Sequence, residues 1–110
     1  MSWYRKAAQQ GNGSAQFNLG LRYAKGEGVP KDAAQAVSWW RKAAEQGHAE
    51  AQFFLGSSYA KGEGVPKDAA QTVSWYRKAA EQGDANAQSK LGAMYYMGDG
   101  VPKDLVSAYM

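Results

Sequence analysis

The chain has 110 residues, of which 45% are apolar and 21% are charged, and its formal net charge is +3. These values lie near the averages of globular domains and argue against a disordered chain, while no run of about 18 apolar residues is present to span a membrane. The chain has no cysteine, which excludes disulfides, thiolate chemistry and cysteine-ligated zinc.

The first full helix is predicted from about Ser14 to Lys25. Apolar residues recur there at every fourth position, at Ala15, Leu19 and Tyr23, which is the spacing of one helix face. The segment KGEGVPKD follows. Its two glycines can adopt positive φ and its proline fixes the entry to the next helix, so it predicts a tight loop.

A second helix is predicted after Pro30. Asp32 is placed to cap its first turn, and Gln35 follows three residues later in the spacing of a capping box. Gly47 lies where a C-terminal cap belongs. Between the caps, small and aromatic residues form the stripe of an amphipathic helix: Ala36, Trp39, Trp40, Ala43 and Ala44.

This helix, loop and helix unit is repeated along the chain. Residues 11–46 return as residues 47–82 with changes at eight of 36 positions, and residues 83–110 form a third copy that is truncated in its second helix. Residues 1–10 supply only the second helix of a partial copy. A unit of this size cannot bury its apolar face alone, so the repeat predicts a stacked array with an open surface.

The differences between copies concentrate on the first helix of each unit. On a helical wheel the changed positions fall on one side, opposite the kept residues. That side could be a solvated face that varies without consequence, but Leu21, Phe54 and Met94 are apolar, and clustered exposed apolar surface favours a binding site. The predicted partner-binding residues are Asn18, Leu21, Arg22, Glu50, Phe54, Ser58, Lys90, Met94 and Met97.

The kept residues are predicted to build the scaffold. Gly20, Gly56 and Gly92 each cost a helix about 1 kcal/mol relative to alanine, so we expect them to permit close approach of a neighbouring helix. Trp39 and Trp75 each offer on the order of 200 Å² for burial and are predicted to lie in the core.

No catalytic residue, metal site or cofactor is predicted. The one histidine, His48, occupies the place of Asn12 and Asp84 in the other copies, which indicates a residue at the start of a helix. Acidic residues also recur in register, as capping and loop positions do, whereas an acid/base pair is needed only once.

Nucleic-acid binding is also not predicted, although the chain is basic. Arg41 and Lys42 stand beside tryptophan, but the same pair recurs with the repeat and is followed by Glu45. This pattern is typical of a solvated helix face.

The unit A-x-x-x-L-G-x-x-Y-x-x-G-x-G-V-x-x-D-x-x-x-A-x-x-W-[WY]-x-x-A-A-x-x-G resembles the Sel-1-like repeat, a relative of the tetratricopeptide repeat, over essentially the whole chain. The segments VPKD and WYRKAAEQG are similar to those of bacterial members. The resemblance implies an all-α, right-handed α-solenoid of antiparallel helix pairs whose first helices line the concave side. It also implies a protein-protein interaction adaptor rather than an enzyme. Some cysteine-rich members were linked to β-lactam binding, but their disulfides have no counterpart here.

An alternative function is a self-assembling module, because both ends of the chain fall within a helix of the repeat. Head-to-tail association would join the two half-helices of different molecules. A fragment cut from a longer array would explain the same ends. The predicted self-association residues are Trp3, Tyr4, Leu105, Val106, Tyr109 and Met110.

The start of the chain shows no export signal. Met1 leads directly into SWYRKAAQQ, without an apolar stretch or a cleavage site of small residues. A cytoplasmic location is therefore the default expectation, and a periplasmic or secreted location stays open if the chain is a processed fragment. The predicted partner is a protein or peptide, with a homo-oligomer as the further possibility.

Overall fold

The computed structural model describes residues 2–97, with the side chains of Ser2, Tyr4 and Met97 excepted. This part of the chain is helical throughout, apart from short connecting loops, and its principal-axis extents are 47 × 24 × 17 Å. Consecutive helices pack against one another in chain order. The helices are α1 Ser2–Gln9, α2 Gly13–Lys25, α3 Ala33–Glu45, α4 Ala49–Lys61, α5 Ala69–Glu81 and α6 Ala85–Met97.

The two full helix pairs, α2 with α3 and α4 with α5, begin and end within a residue or two of the predicted bounds. Asp32 caps α3 as expected, because its Oδ1 accepts from the Gln35 backbone N–H at 3.1 Å. The second bond of a capping box would run from the Asp32 N–H to the Gln35 side chain. Here the Asp32 N–H instead donates to the Tyr23 carbonyl at 2.9 Å. That bond ties the start of the second helix to the end of the first, and it recurs at Asp68.

The connection from one unit to the next is a tight C-terminal cap. Gly47 has φ of +90°, and the N–H groups of Gly47 and His48 donate to Ala44 and Ala43 in the paired bonds of a Schellman motif. The predicted role of His48 at a helix start is confirmed, because its Nδ1 accepts from the Ala51 N–H at 3.1 Å.

The glycines in the first helices allow close packing of the second helices, as predicted. A Cβ at Gly56 would lie 2.7 Å from Cδ1 of Tyr76, and one at Gly20 would lie 2.5 Å from Cδ1 of Trp40. Only a residue without a side chain fits there. The second helix that would pair with the third such glycine, Gly92, lies outside the described residues.

The tryptophans of the repeat are buried, which also confirms the prediction. Trp39 is 8% exposed and Trp75 is 9% exposed. Trp75 belongs to one core cluster with Ala43 and Ala44 of the preceding pair, and Trp39 belongs to one with Ala8 of α1. Each tryptophan thus joins a helix pair to its neighbour in the array, and Lys78 covers the ring of Trp75 with its Nζ 4.6 Å from the centroid.

A ladder of glutamines joins successive units through polar contacts. Gln16 donates from Nε2 to the Ala8 carbonyl at 3.0 Å and accepts through Oε1 from Gln46 Nε2 at 2.6 Å. The same pair of bonds recurs 36 residues later. Because buried amides must be hydrogen-bonded, these bonds fix the register of one unit on the next.

The arginines of the repeat are not the solvated side chains that the sequence predicts. Arg41 is half-buried and donates from Nη2 to the hydroxyl of Tyr59 at 2.6 Å. Arg5 and Arg77 make the same bond to the tyrosines of α2 and α6. These arginines therefore stabilise the scaffold. Their hydrogen bonds to tyrosine leave them less available to phosphate groups.

Candidate interaction cleft

The first helices α2, α4 and α6 have one packed face, as the repeat comparison predicts. Ala15, Leu19, Ala51 and Leu55 are all buried. The opposite, variable face is more covered than expected, because Leu21 packs against the core as a partly buried residue.

The variable face is not open at Ser58, contrary to the prediction. Its side chain is buried, with 6% of the residue exposed, and its Oγ donates to the Phe54 carbonyl at 3.0 Å. Ser58 lines a groove together with Ala24 of α2 and with residues of α3. Ser58 therefore lines an inter-helix groove and does not project into solvent.

Phe54 is also a packed residue rather than a free contact point. Its ring lies 5.2 Å from the centroids of both Phe17 and Trp40, in edge-to-face arrangements. Phe17 in turn stacks on His48. These rings pack between α2, α3 and α4, beside a cleft of about 220 Å³ that is lined mainly by residues of α3 and α4.

The equivalent groove between α4 and α6 is open. Lys90 stands where the preceding groove has Phe54, one repeat earlier, and Lys90 is exposed. The cleft there has a volume of about 480 Å³. The residues that line it are Phe53, Phe54, Ser57, Ala60, Lys61, Tyr76, Lys90 and Met94.

The aromatic part of this cleft is rigidly held. The rings of Phe53 and Tyr76 stack with centroids 5.3 Å apart and planes at 20°. The hydroxyls of Tyr76 and Ser57 share a hydrogen bond of 2.9 Å. Burial raises the pKa of Tyr76, with the Ser57 hydrogen bond acting in the opposite direction. The hydroxyl therefore stays neutral, and the ring pair forms an apolar platform with one polar edge.

The structure brings together three of the predicted binding residues, Phe54, Lys90 and Met94, in the α4–α6 cleft. Arg22 instead pairs with Glu27 at 3.3 Å, on another part of the array. The side chain of Met97 lies outside the described residues. The remaining predicted residues, Asn18, Leu21 and Glu50, lie on the first helices but do not line this cleft.

Sequence reasoning missed the platform itself. Phe53 was assigned to neither side of the helical wheel, and Tyr76 was counted as scaffold. One signal was available, because the position of Phe17 and Phe53 is Ser89 in the third copy, and the position of Phe54 is Lys90. Two bulky residues of the preceding copy are thus replaced by small or flexible ones on the same helix.

Two negative findings concern the chemistry of the described part. Residues 2–97 contain no group of three or more histidine, cysteine, aspartate or glutamate side chains placed to hold a metal ion. In the same residues no helix has the length and apolar character needed to cross a bilayer.

The predicted self-association residues are described only in part. Trp3 is 82% exposed, in contrast to its register equivalents Trp39 and Trp75. The side chain of Tyr4 lies outside the described residues, as do Leu105, Val106, Tyr109 and Met110.

Stacked antiparallel helix pairs, a 36-residue register and clefts between successive first helices define an α-solenoid repeat scaffold. The chain belongs to the Sel1 repeat family, whose model matches residues 1–12, 13–48, 49–84 and 85–110. These divisions fall two residues after those drawn from the glycines. Sel1 repeat proteins are generally protein-protein interaction scaffolds.

Solved structures with the same fold come from bacteria. The chain is 51% identical to c5321, a protective antigen of uropathogenic Escherichia coli with an SLR fold, with a TM-score of 0.90 over 94% of this chain and 22% of that one. It is 46% identical to a Sel1 repeat protein from Oxalobacter formigenes, with a TM-score of 0.91 over 98% of this chain and 45% of that one. Helicobacter pylori cysteine rich protein B is 29% identical, with a TM-score of 0.79 over 82% and 68% of the two chains.

The chain therefore spans less than half the length of the first two of these proteins. A comparison with curated proteins found no match.

Proposed function

We propose that this chain is an interaction scaffold that binds a short segment of a protein or peptide on the concave face formed by its first helices, in the cleft between α4 and α6. The observation that carries the proposal is the cleft over Phe53, a partly buried ring that stacks on the buried ring of Tyr76. In the preceding groove the corresponding space is filled by Phe54 and its ring contacts.

The size and lining of the cleft support binding. A volume of about 480 Å³ lies within the range of about 300 to 1,000 Å³ that is typical of ligand sites. Apolar and aromatic side chains make most of the surface, and the hydroxyls of Ser57 and Tyr76 supply polar groups at one edge. An apolar side chain of the bound segment would pack on the ring pair and on Met94.

The same lining supports binding over catalysis. Among the described residues that line the cleft, Ser57 is the only serine or threonine. The same described lining contains no histidine, aspartate or glutamate. A serine needs an adjacent general base to act as a nucleophile. The Ser57 hydroxyl forms its hydrogen bond with the neutral hydroxyl of Tyr76, which is not a general base.

The test begins with phage-displayed random 12-residue peptides selected on the immobilised protein. Replacing Met94 with glutamine should weaken binding of the selected peptides about tenfold, because a partly buried apolar contact is worth about 1 to 2 kcal/mol. Fluorescence anisotropy with labelled peptides measures the dissociation constants.

The matched control is Ala93→Gln, which places the same amide on the neighbouring, exposed position of α6 outside the cleft lining. It should leave the affinity unchanged. Peptides that bind both variants equally well, or a selection that enriches none, would contradict a binding site in this cleft.

A second candidate function is self-association through α1, which the exposure of Trp3 favours. A ring at this register position is buried in the two following units. We expect Trp3→Glu to shift the sedimentation coefficient toward that of the monomer. A wild-type chain that sediments as a monomer at every concentration would exclude this function.

A further inference from the structure

The α4–α6 cleft carries a charge pattern as well as an apolar platform. Lys61 from α4 and Lys90 from α6 line it on opposite sides. An adjoining recess shares Ala60 and Met94 with the cleft and adds Lys67. Among the described residues that line the cleft and the recess, no aspartate or glutamate is present.

These lysines are exposed and only weakly neutralised. Lys61 lies 4.0 Å from Glu63, at the limit of an ion pair, with both side chains largely in solvent. Such pairs contribute little and are screened by salt. Lys67 and Lys90 form no ion pair within the described part of the chain.

The preceding groove differs from the α4–α6 cleft in its described lining; Asp99, the register equivalent of its Glu63, lies outside the described residues. The groove between α2 and α4 is also lined by two lysines, Lys31 and Lys61, but Glu63 lines it with them. Its central position is occupied by Phe54 in place of Lys90. In its described lining, the α4–α6 cleft therefore combines an aromatic floor with lysines that no carboxylate accompanies.

From this combination we infer that the cleft recognises an acidic peptide, in which one aromatic or large aliphatic side chain is flanked by aspartate or glutamate. The apolar side chain packs on Phe53 and Tyr76, and the flanking carboxylates face Lys61 and Lys90. This inference rests on the proposed function and adds the chemical class of the bound segment. The overall net charge of +3 acts in the same direction by attracting acidic segments.

A nucleic acid would use the cationic rim but not the rest of the site. Phosphate recognition favours arginine, and the repeated arginines donate to tyrosines within the scaffold. The platform rings stack on each other, so Phe53 has one face already covered by Tyr76. A single apolar side chain fits this arrangement better than a run of stacked bases.

The test uses the peptides selected from the random 12-residue library and their sequences. We expect the selected set to be enriched in aspartate and glutamate next to one aromatic or large aliphatic residue. The affinity of such a peptide should fall several-fold between 50 and 500 mM salt, because exposed charge pairs are screened.

Charge reversal at the rim provides the matched comparison. The double variant Lys61→Glu with Lys90→Glu should weaken the acidic peptide about tenfold, since each exposed pair contributes roughly two- to fivefold and reversal replaces attraction with repulsion. The control is Lys25→Glu combined with Lys6→Glu, which makes the same change in net charge at two exposed lysines outside the cleft. It should change the affinity less than twofold.

A peptide with each acidic residue replaced by lysine completes the swap. This basic peptide should bind the wild-type chain more weakly than the acidic peptide does. Its affinity should increase again on the Lys61→Glu, Lys90→Glu variant. Circular dichroism of each variant checks that the helices are retained.

The outcomes separate the two claims. Selected peptides with neutral or basic flanks that still depend on Met94 would overturn the acidic class and leave the proposed function standing. Peptides that ignore Met94 would overturn both. A polyuridine RNA that displaces the acidic peptide, in a manner that depends on Lys90, would overturn the assignment to a peptide.

Discussion

Replacing Trp75 with alanine should lower the free energy of unfolding by about 3 to 5 kcal/mol. The ring is 9% exposed and belongs to the core that joins α3 and α4 to α5. Its Nε1 has no hydrogen-bond partner within the described part of the chain, so the loss comes from packing and burial rather than from a broken hydrogen bond. A domain of this size is stable by about 5 to 15 kcal/mol in total.

Thermal unfolding followed by circular dichroism measures the effect, and the thermal midpoint should fall by more than about 10 °C. Trp3→Ala is the matched control, because the same residue type at the same register position is 82% exposed. The control should shift the midpoint by no more than a few degrees. An unchanged midpoint for Trp75→Ala would show that this face of the second helices is not part of the core.

The second large effect is expected for Gly20→Ala. Helix propensity alone would make this change favourable by about 1 kcal/mol. The new Cβ would lie 2.5 Å from Cδ1 of Trp40, however, and overpacking of this kind costs about 1 to 3 kcal/mol. Trp40 donates from Nε1 to the Phe17 carbonyl at 3.2 Å, and losing that buried bond adds about 1 to 3 kcal/mol.

The net result is a loss of stability, which urea unfolding measures through its midpoint. Gly13→Ala is the control, because the nearest atoms of another residue lie 3.9 Å from its built Cβ and the second copy already has Ala49 there. It should leave the midpoint unchanged or raise it slightly. A Gly20→Ala variant as stable as the wild type would mean that α2 and α3 can separate at no cost.

The helices and their caps could be predicted from the sequence because they depend on local signals. Asp32 and the loop glycines act within a few residues of themselves, and the repeat shows the same signals more than once. The burial of Trp39 and Trp75 also followed from the apolar stripe, since a stripe on a helix of a stacked array has to face a neighbour.

The cleft could be predicted only in part, because it depends on contacts between units. The sequence comparison assigns Phe54 to the variable face, but a single sequence does not show that its ring would meet Phe17 and Trp40 in the groove. The role of Arg41 was missed for the same reason, since its acceptor Tyr59 is on the next first helix, 18 residues away. The exposure of a position in a solenoid is set by the neighbouring unit as much as by its own helix.

The proposed recognition surface has a consequence for the rest of the array. The groove between α2 and α4 and the groove between α4 and α6 share one scaffold and differ in the side chains at a few positions of the first helix. Phe54, Ser57 and Lys61 of α4 line both grooves, so a change at one of them alters the lining of both clefts.

The most direct test of the cleft as the binding site is a nuclear magnetic resonance titration of the ¹⁵N-labelled chain with a selected peptide. The largest amide shifts should map to the two helices that border the cleft, around Phe53, Ala60 and Met94, while α1 and α2 stay nearly unchanged. Shifts that map to α1 and α2 and leave α4 and α6 unchanged would contradict the account.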